Sequence, residues 1–155
     1  MKIRAHFVCR GAEQGGRGSR SEGSKDRSEG SNGRNEGSGT GSIEKMLSTD
    51  AVWCGFTVSG HDAAGNAGFS VLCAAVSSAV QLTCNTLTEC FGVPEDAVQV
   101  TPANGSQNQI SLRLSSPEPA QSGIVRGLAV HLMLLAEEYP KGLAVTVSQE
   151  ESPSQ

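Results

Sequence analysis

Apolar and polar residues alternate in five short stretches, and two longer stretches repeat at helical spacing. In residues 1–9, Ile3, Ala5 and Phe7 fall on one side of an extended backbone, and His6 points the other way, to solvent. Residues 51–59 alternate again, with Val52, Cys54, Phe56 and Val58 on one face and Trp53, Gly55, Thr57 and Ser59 on the other. Residues 97–101 and 109–114 read as two more strands, joined by a turn that carries Asn104-Gly105. A last strand is expected over 142–147. Between these lie two helices. One is expected from Ser70, as N-cap, to about Phe91, where Gly92-Val-Pro94 stops it. It carries no charged residue before Glu89, so it is buried on most sides or lies in a dimer interface. The other covers 117–139, with Ser116 and Pro117 as cap and first position and Ile124, Leu128, Leu132 and Leu135 on its apolar side. The order ββαββαβ predicts an α+β fold, a mainly antiparallel sheet with two packed helices, its first two strands paired antiparallel.

The pattern fails over residues 10–42. Ten of the nineteen glycines lie there, and after Ala12 no apolar side chain appears until Ile43. Arg20-Ser-Glu-Gly-Ser, Arg27-Ser-Glu-Gly-Ser and Arg34-Asn-Glu-Gly-Ser recur every seven residues. A seven-residue period suits a coiled coil only with apolar seam positions, and there are none. So polar a segment cannot offset the entropy of ordering, and it is expected to be a disordered insertion after the first strand. A long loop costs little, because closure entropy grows only logarithmically. A single domain is expected over 1–148, interrupted by this low-complexity segment, with a short turn or helical piece over 43–50 and a frayed tail at 149–155.

Charge and cysteine usage narrow the function. The net charge is −4; the insertion holds six Lys/Arg against five Asp/Glu, which leaves the rest with six against eleven, or −5. So acidic a domain is a poor partner for a phosphate backbone, and direct nucleic-acid binding is discounted. The five cysteines (Cys9, Cys54, Cys73, Cys84, Cys90) form no metal-ligand spacing, so no metal is expected. Their odd number suits a reducing compartment, and most are expected to be buried as small hydrophobes. No membrane span and no export signal is expected, which makes the chain cytoplasmic.

The chemistry concentrates in residues 60–77, where His61 and Cys73 stand twelve positions apart. His61 follows the second strand. Asp62, Gly65, Asn66 and Gly68 form a turn-rich loop whose glycines could let it open and close. Cys73 is expected in the first turn of the helix, with Ser77 one turn on along the same face. A thiol at a helix N-terminus is biased toward thiolate, a histidine in reach can take its proton, and the exposed N–H groups can hold an oxyanion. These are the parts of an acyl-transfer site. The same two residues also suit a buried structural thiol beside a loop histidine. A redox sensor built on Cys73 is a further possibility, provided a second thiol approaches it. Cys54, Cys84 and Cys90 sit among apolar neighbours and are expected to be structural; His131 is expected in the core or at an interface.

The stretch Gly60-His61, Gly68, Cys73-Ala74-Ala75-Val76-Ser77 and Ala79-Val80-Gln81 resembles the ribosomal-processing cysteine protease family, Prp, in the same element order and over the chain apart from 10–42. The resemblance implies a small α/β fold, a homodimer, no cofactor, and an endopeptidase. The family removes an N-terminal extension from a large-subunit ribosomal protein, the twenty-seventh of that series, after an aromatic residue. By position, Cys73 is the nucleophile, His61 the general base and acid, and Ser77 a lining residue, with Gly65, Gly68 and Ser70 around the substrate. The family commonly has Asp where Ser70 stands and a small residue where Asp62 stands; Asp62 is the candidate for part of the missing charge. A non-catalytic docking module on the same ribosomal protein, or on assembling ribosomes, is the alternative.

Overall fold

A computed structural model describes residues 2–11, 47, 50–61, 67–101 and 108–151, giving only the backbone course of His61 and of residues 67–70. The expected disordered insertion, most of the 43–50 piece, the Asn104-Gly105 turn and the end of the tail lie outside the described residues.

Five strands, β1 (Ile3–Arg10), β2 (Val52–His61), β3 (Val98–Thr101), β4 (Asn108–Arg113) and β5 (Leu143–Glu150), form one sheet in the order β3-β4-β2-β1-β5. Two helices, α1 (Ala67–Asn85) and α2 (Pro119–Glu138), pack on it. The α+β reading and the element order hold, as does the antiparallel pairing of β1 with β2. The sheet is nonetheless mixed, because β5 runs parallel to β1. Strand alternation has the same period in both pairings, so it could not distinguish them. β5 also extends to Glu150, two residues into the stretch expected to fray.

β1 behaves as its alternation predicts. Ile3, Ala5, Phe7 and Cys9 are buried on the face the helices cover, and His6 is exposed on the other. There the His6 ring nitrogens lie 2.7 Å from Thr146 Oγ1 and 2.9 Å from Ser148 Oγ. β2 departs from its predicted phase. A bulge between the Val8 and Cys9 rungs leaves β2 with one extra residue, Cys54. Trp53 therefore joins the helix-covered side, against Phe7, with ring centroids 6.0 Å apart and planes at 72°. Phe56, 5.9 Å from Phe7, completes that aromatic group.

A bulge also leaves a ladder donor without its regular partner. The Trp53 N–H donates instead to the Oγ of Ser122, a buried residue on α2, at 2.8 Å. This ties helix to sheet through a desolvated hydrogen bond. Ser122→Ala orphans a buried N–H, so it should cost about 1–3 kcal/mol. A lower urea midpoint at an unchanged denaturant slope is the expected readout.

Both helix starts differ from expectation. α1 begins at Ala67, three residues before Ser70, which therefore sits inside the helix rather than capping it. For α2 the first helical position is Pro119, not Pro117; the Glu118 N–H donates to Gln121 Oε1 at 2.9 Å, a side chain serving the cap. Two nearby prolines satisfy the same positional rule, and sequence alone did not separate them. The end of the first helical stretch holds as read. After a π-turn over Thr86–Cys90, Gly92 at φ +67° reverses the chain, and Val93 N–H closes on the Leu87 carbonyl at 3.0 Å.

The stretch Val71–Cys90, uncharged up to Glu89, is long and apolar enough to cross a membrane by length and composition alone. Part of its apolar side faces the protein interior, while Val71 and Leu82 stay exposed. Leu72, Cys73, Val76, Val80, Cys84 and Leu87 are buried against the sheet and against Val125, Leu128 and Leu132 of α2.

Candidate active site

β2 and α1 follow one another in the chain; His61 belongs to β2, and Cys73 and Ser77 belong to α1. Cys73 is the seventh residue of α1 and is 8 % exposed. It lies in the second helical turn, not the first, because the helix starts earlier than Ser70. Unbonded helix N–H groups belong to the first turn, and the dipole's influence fades beyond it. The end-of-helix argument for a thiolate at Cys73 is thereby weakened, and so is the expectation that its neighbouring helix N–H groups hold an oxyanion. His61 is the last residue of β2 and pairs in register with Asn108 of β4. Gly68, expected in a mobile loop, belongs to the first turn of α1, and Ser70 follows it there. Gly65, Asp62 and Asn66 lie outside the described residues.

Between α1 and the sheet runs a groove of about 170 Å³. Val76, Ser77 and Val80 form its helical wall and Val58, Val100 and Ile110 its sheet side. Ser77 stands one turn beyond Cys73 on the same helical face, a rise of about 6 Å. A space this small is well below the ~300 Å³ at which ligand pockets usually begin, so it suits one side chain of a longer molecule. Its walls are mainly apolar, with the polar residues Ser59, Ser77, Gln81, Asn108 and Gln109 also lining it. The sequence pointed to Ser77 through its spacing from Cys73. Asn108, Val58 and Ile110 were missed, because strand partners of β2 become neighbours of the site only through the sheet register.

The other thiols have different surroundings. Burial holds the thiols of Cys9 and Cys84 above the usual range, Cys54 adding to the effect on Cys9. Cys54 is pushed up by burial as well, opposed by the guanidinium groups of Arg10 and Arg113. A raised thiol is mostly protonated at neutral pH and is a poor nucleophile. Cys9 also has a histidine close in sequence, but His6 projects from the opposite face of β1, where Thr146 and Ser148 engage both ring nitrogens. Cys90 is exposed, contrary to the structural role expected of it. His131 is exposed too, at the rim of a second groove between α1 and α2 that Ser78 and Thr83 also line. Among the described residues, no three His, Cys, Asp or Glu side chains gather as a metal site would require.

The fold recurs in solved structures. The crystal structure of SMU.848 from Streptococcus mutans is 17% identical, with a TM-score of 0.60 over 97% of this chain and 100% of that one. The essential ribosomal processing protease Prp from S. aureus, in complex with a substrate peptide, is 12% identical, with a TM-score of 0.56 over 94% of this chain and 99% of that one. The same protease in complex with a covalently linked product peptide is 13% identical, with a TM-score of 0.54 and the same coverage. No curated protein matches the sequence. The family model described as cysteine protease Prp matches residues 43–144, a span that holds His61, Cys73 and Ser77, and the chain belongs to that family.

Proposed function

We propose that this chain is a cytoplasmic endopeptidase that removes the N-terminal extension of a large-subunit ribosomal protein, the twenty-seventh of the series, with Cys73 as nucleophile and His61 as general base and acid. The observation that carries this reading is the apolar groove one helical turn from Cys73. It sits within the stretch matched to the protease family. The S. aureus relative, a ribosomal processing protease seen in complex with a covalently linked product peptide, supports both the covalent route and the substrate class.

In this reading an aromatic side chain on the amino side of the scissile bond enters the groove against Val76, Val80 and Ile110. Ser77, at its wall, offers a hydroxyl to the peptide. His61 removes the Cys73 proton, and the sulfur adds to the scissile carbonyl carbon. The C–N bond breaks as His61 returns the proton to the leaving amine. Water, deprotonated by His61, then attacks the thioester and restores the thiol. No cofactor takes part. A homodimer is part of the proposal, supported by apolar side chains exposed on the two helices, among them Val71, Leu82 and Leu134.

The docking module is favoured by one observation, Ser70 in the position where the family commonly has Asp. One experiment separates the two. The wild-type protein is mixed with a peptide spanning the N-terminus of the source organism's own version of that ribosomal protein, and products are weighed by mass spectrometry. A single cut after an aromatic residue is expected. Binding without any cut would leave the docking module in place.

A further inference from the structure

β2 does not keep one phase to its end. Its pairing with β4 sets Phe56 opposite Leu112, Thr57 opposite Ser111, Val58 opposite Ile110 and Ser59 opposite Gln109. The rows through Phe56 and Val58 are the helix-covered ones, since Phe56 and Leu112 are buried in the core and Ile110 packs against it. The rows through Thr57 and Ser59 lie on the other face. Two residues per period would place residue 61 in the row of Thr57 and Ser59, across the sheet from α1. The observed register differs. Between Ser59 and His61 the pairing slips by one, and His61 falls opposite Asn108, in the series of Leu112 and Ile110.

The extra residue is Gly60. Its φ is +90°, a conformation that a side chain strongly disfavours. A methyl group there would also collide with the carbonyl oxygen of Lys2, the residue just before β1. The bulge thus has a specific backbone requirement, and it sits directly before the residue whose phase it changes. We propose that Gly60 is a positioning residue of the active site: its bulge shifts residue 61 from the open face of the sheet into the row that α1 covers, the side on which Cys73 is buried. The proposal rests on the reading of His61 and Cys73 as base and nucleophile. Gly60 itself touches neither substrate nor the reacting atoms in it.

The test reads Cys73 rather than overall activity. Alkylation of Cys73 by iodoacetamide is followed against pH by peptide mass mapping, in four variants beside the wild type. Gly60→Ala opposes the positive φ. A second variant deletes Gly60 and adds one glycine after Gly65, which restores a regular ladder and keeps the connection to α1 at its length. His61→Ala removes the base, and Ser122→Ala is a destabilised control remote from residue 61. Wild type and Ser122→Ala are expected to share a profile that stays reactive below neutral pH. Gly60→Ala is expected to match His61→Ala, with the rate at pH 6 reduced about tenfold or more, whereas the deletion, which leaves His61 directly after Ser59 and still opposite Asn108, is expected to keep the wild-type profile. A folded Gly60→Ala protein that keeps the wild-type profile, or a folded deletion variant that loses it, while His61→Ala loses it, overturns the positioning role and leaves the dyad standing. If His61→Ala itself keeps the wild-type profile, the dyad is wrong and the proposal falls with it. A deletion variant that cannot fold also overturns the proposal, because the bulge would then serve the sheet rather than the site.

Discussion

Cys73→Ala should abolish peptide cleavage, lowering kcat/KM by roughly 10⁴-fold or more, while the affinity for the peptide stays within about threefold of wild type. Removing the nucleophile of a covalent mechanism removes the chemical route itself, and what survives is the small acceleration that binding and polar contacts supply. Affinity should survive because the groove is built from other side chains, Val58, Val76, Val80 and Ile110 among them. The fold should survive too, since only one sulfur atom is lost from a residue at the edge of the core. The matched controls are Cys84→Ala and Cys90→Ala. Cys84 is buried with its thiol held above the usual range, and Cys90 is exposed with no groove assigned to it. Both should cut at close to the wild-type rate per folded molecule. Cleavage by Cys73→Ala within tenfold of wild type would remove Cys73 from the mechanism. Fluorescence anisotropy of a labelled peptide gives the affinity, and product mass gives the rate.

Much of the architecture could be read from periodicity, and the places where it could not are physically alike. The alternation of Ile3, Ala5 and Phe7 identified the buried side of β1 because nothing interrupts that stretch before Val8. On β2 the same reasoning misplaced Trp53, and continued to residue 61 it would misplace His61. Each lies beside a bulge, at Cys54 and at Gly60, and a bulge changes the phase without changing the composition. Gly60 was visible as a glycine in a strand, which is a bulge signal in its own right. Cys54 carried no such mark. The parallel neighbour of β1 was beyond reach for another reason: β5 lies farthest from it in sequence, and no local pattern names a strand's partner. The start of α1 was misjudged because Gly68 reads as loop and Ser70 as cap, yet both are taken into a helix whose buried stripe holds it to the sheet. The candidate site shows the same division. Cys73 came from its place near a helix start twelve residues after His61, and Ser77 from its helical spacing from Cys73, whereas the sheet side of the groove came from strand register.

His61→Ala is expected to lower kcat/KM by about 10²–10⁴-fold, the range for a positioned proton-transfer group, and to change the shape of the pH profile as well as its height. In the proposed mechanism, cleavage needs a deprotonated sulfur for attack and a protonated imidazole for the leaving amine. A rate that depends on one group having lost its proton and another having kept it passes through a maximum. Without His61 the only attacking species is thiolate formed by ionisation into bulk solvent. The residual rate should then climb with pH through the ordinary thiol range, about 8–9, with no descending limb below it. The sign distinguishes this outcome from a structural defect. Partial unfolding scales the whole profile down, whereas loss of the base tilts it toward alkaline pH. A His61→Ala protein with a smaller but still bell-shaped profile would assign the base elsewhere. His131, on α2 at the rim of the second groove, and His6, on the open face of β1, are the remaining histidines of the sequence, and His131→Ala would be the next variant to measure.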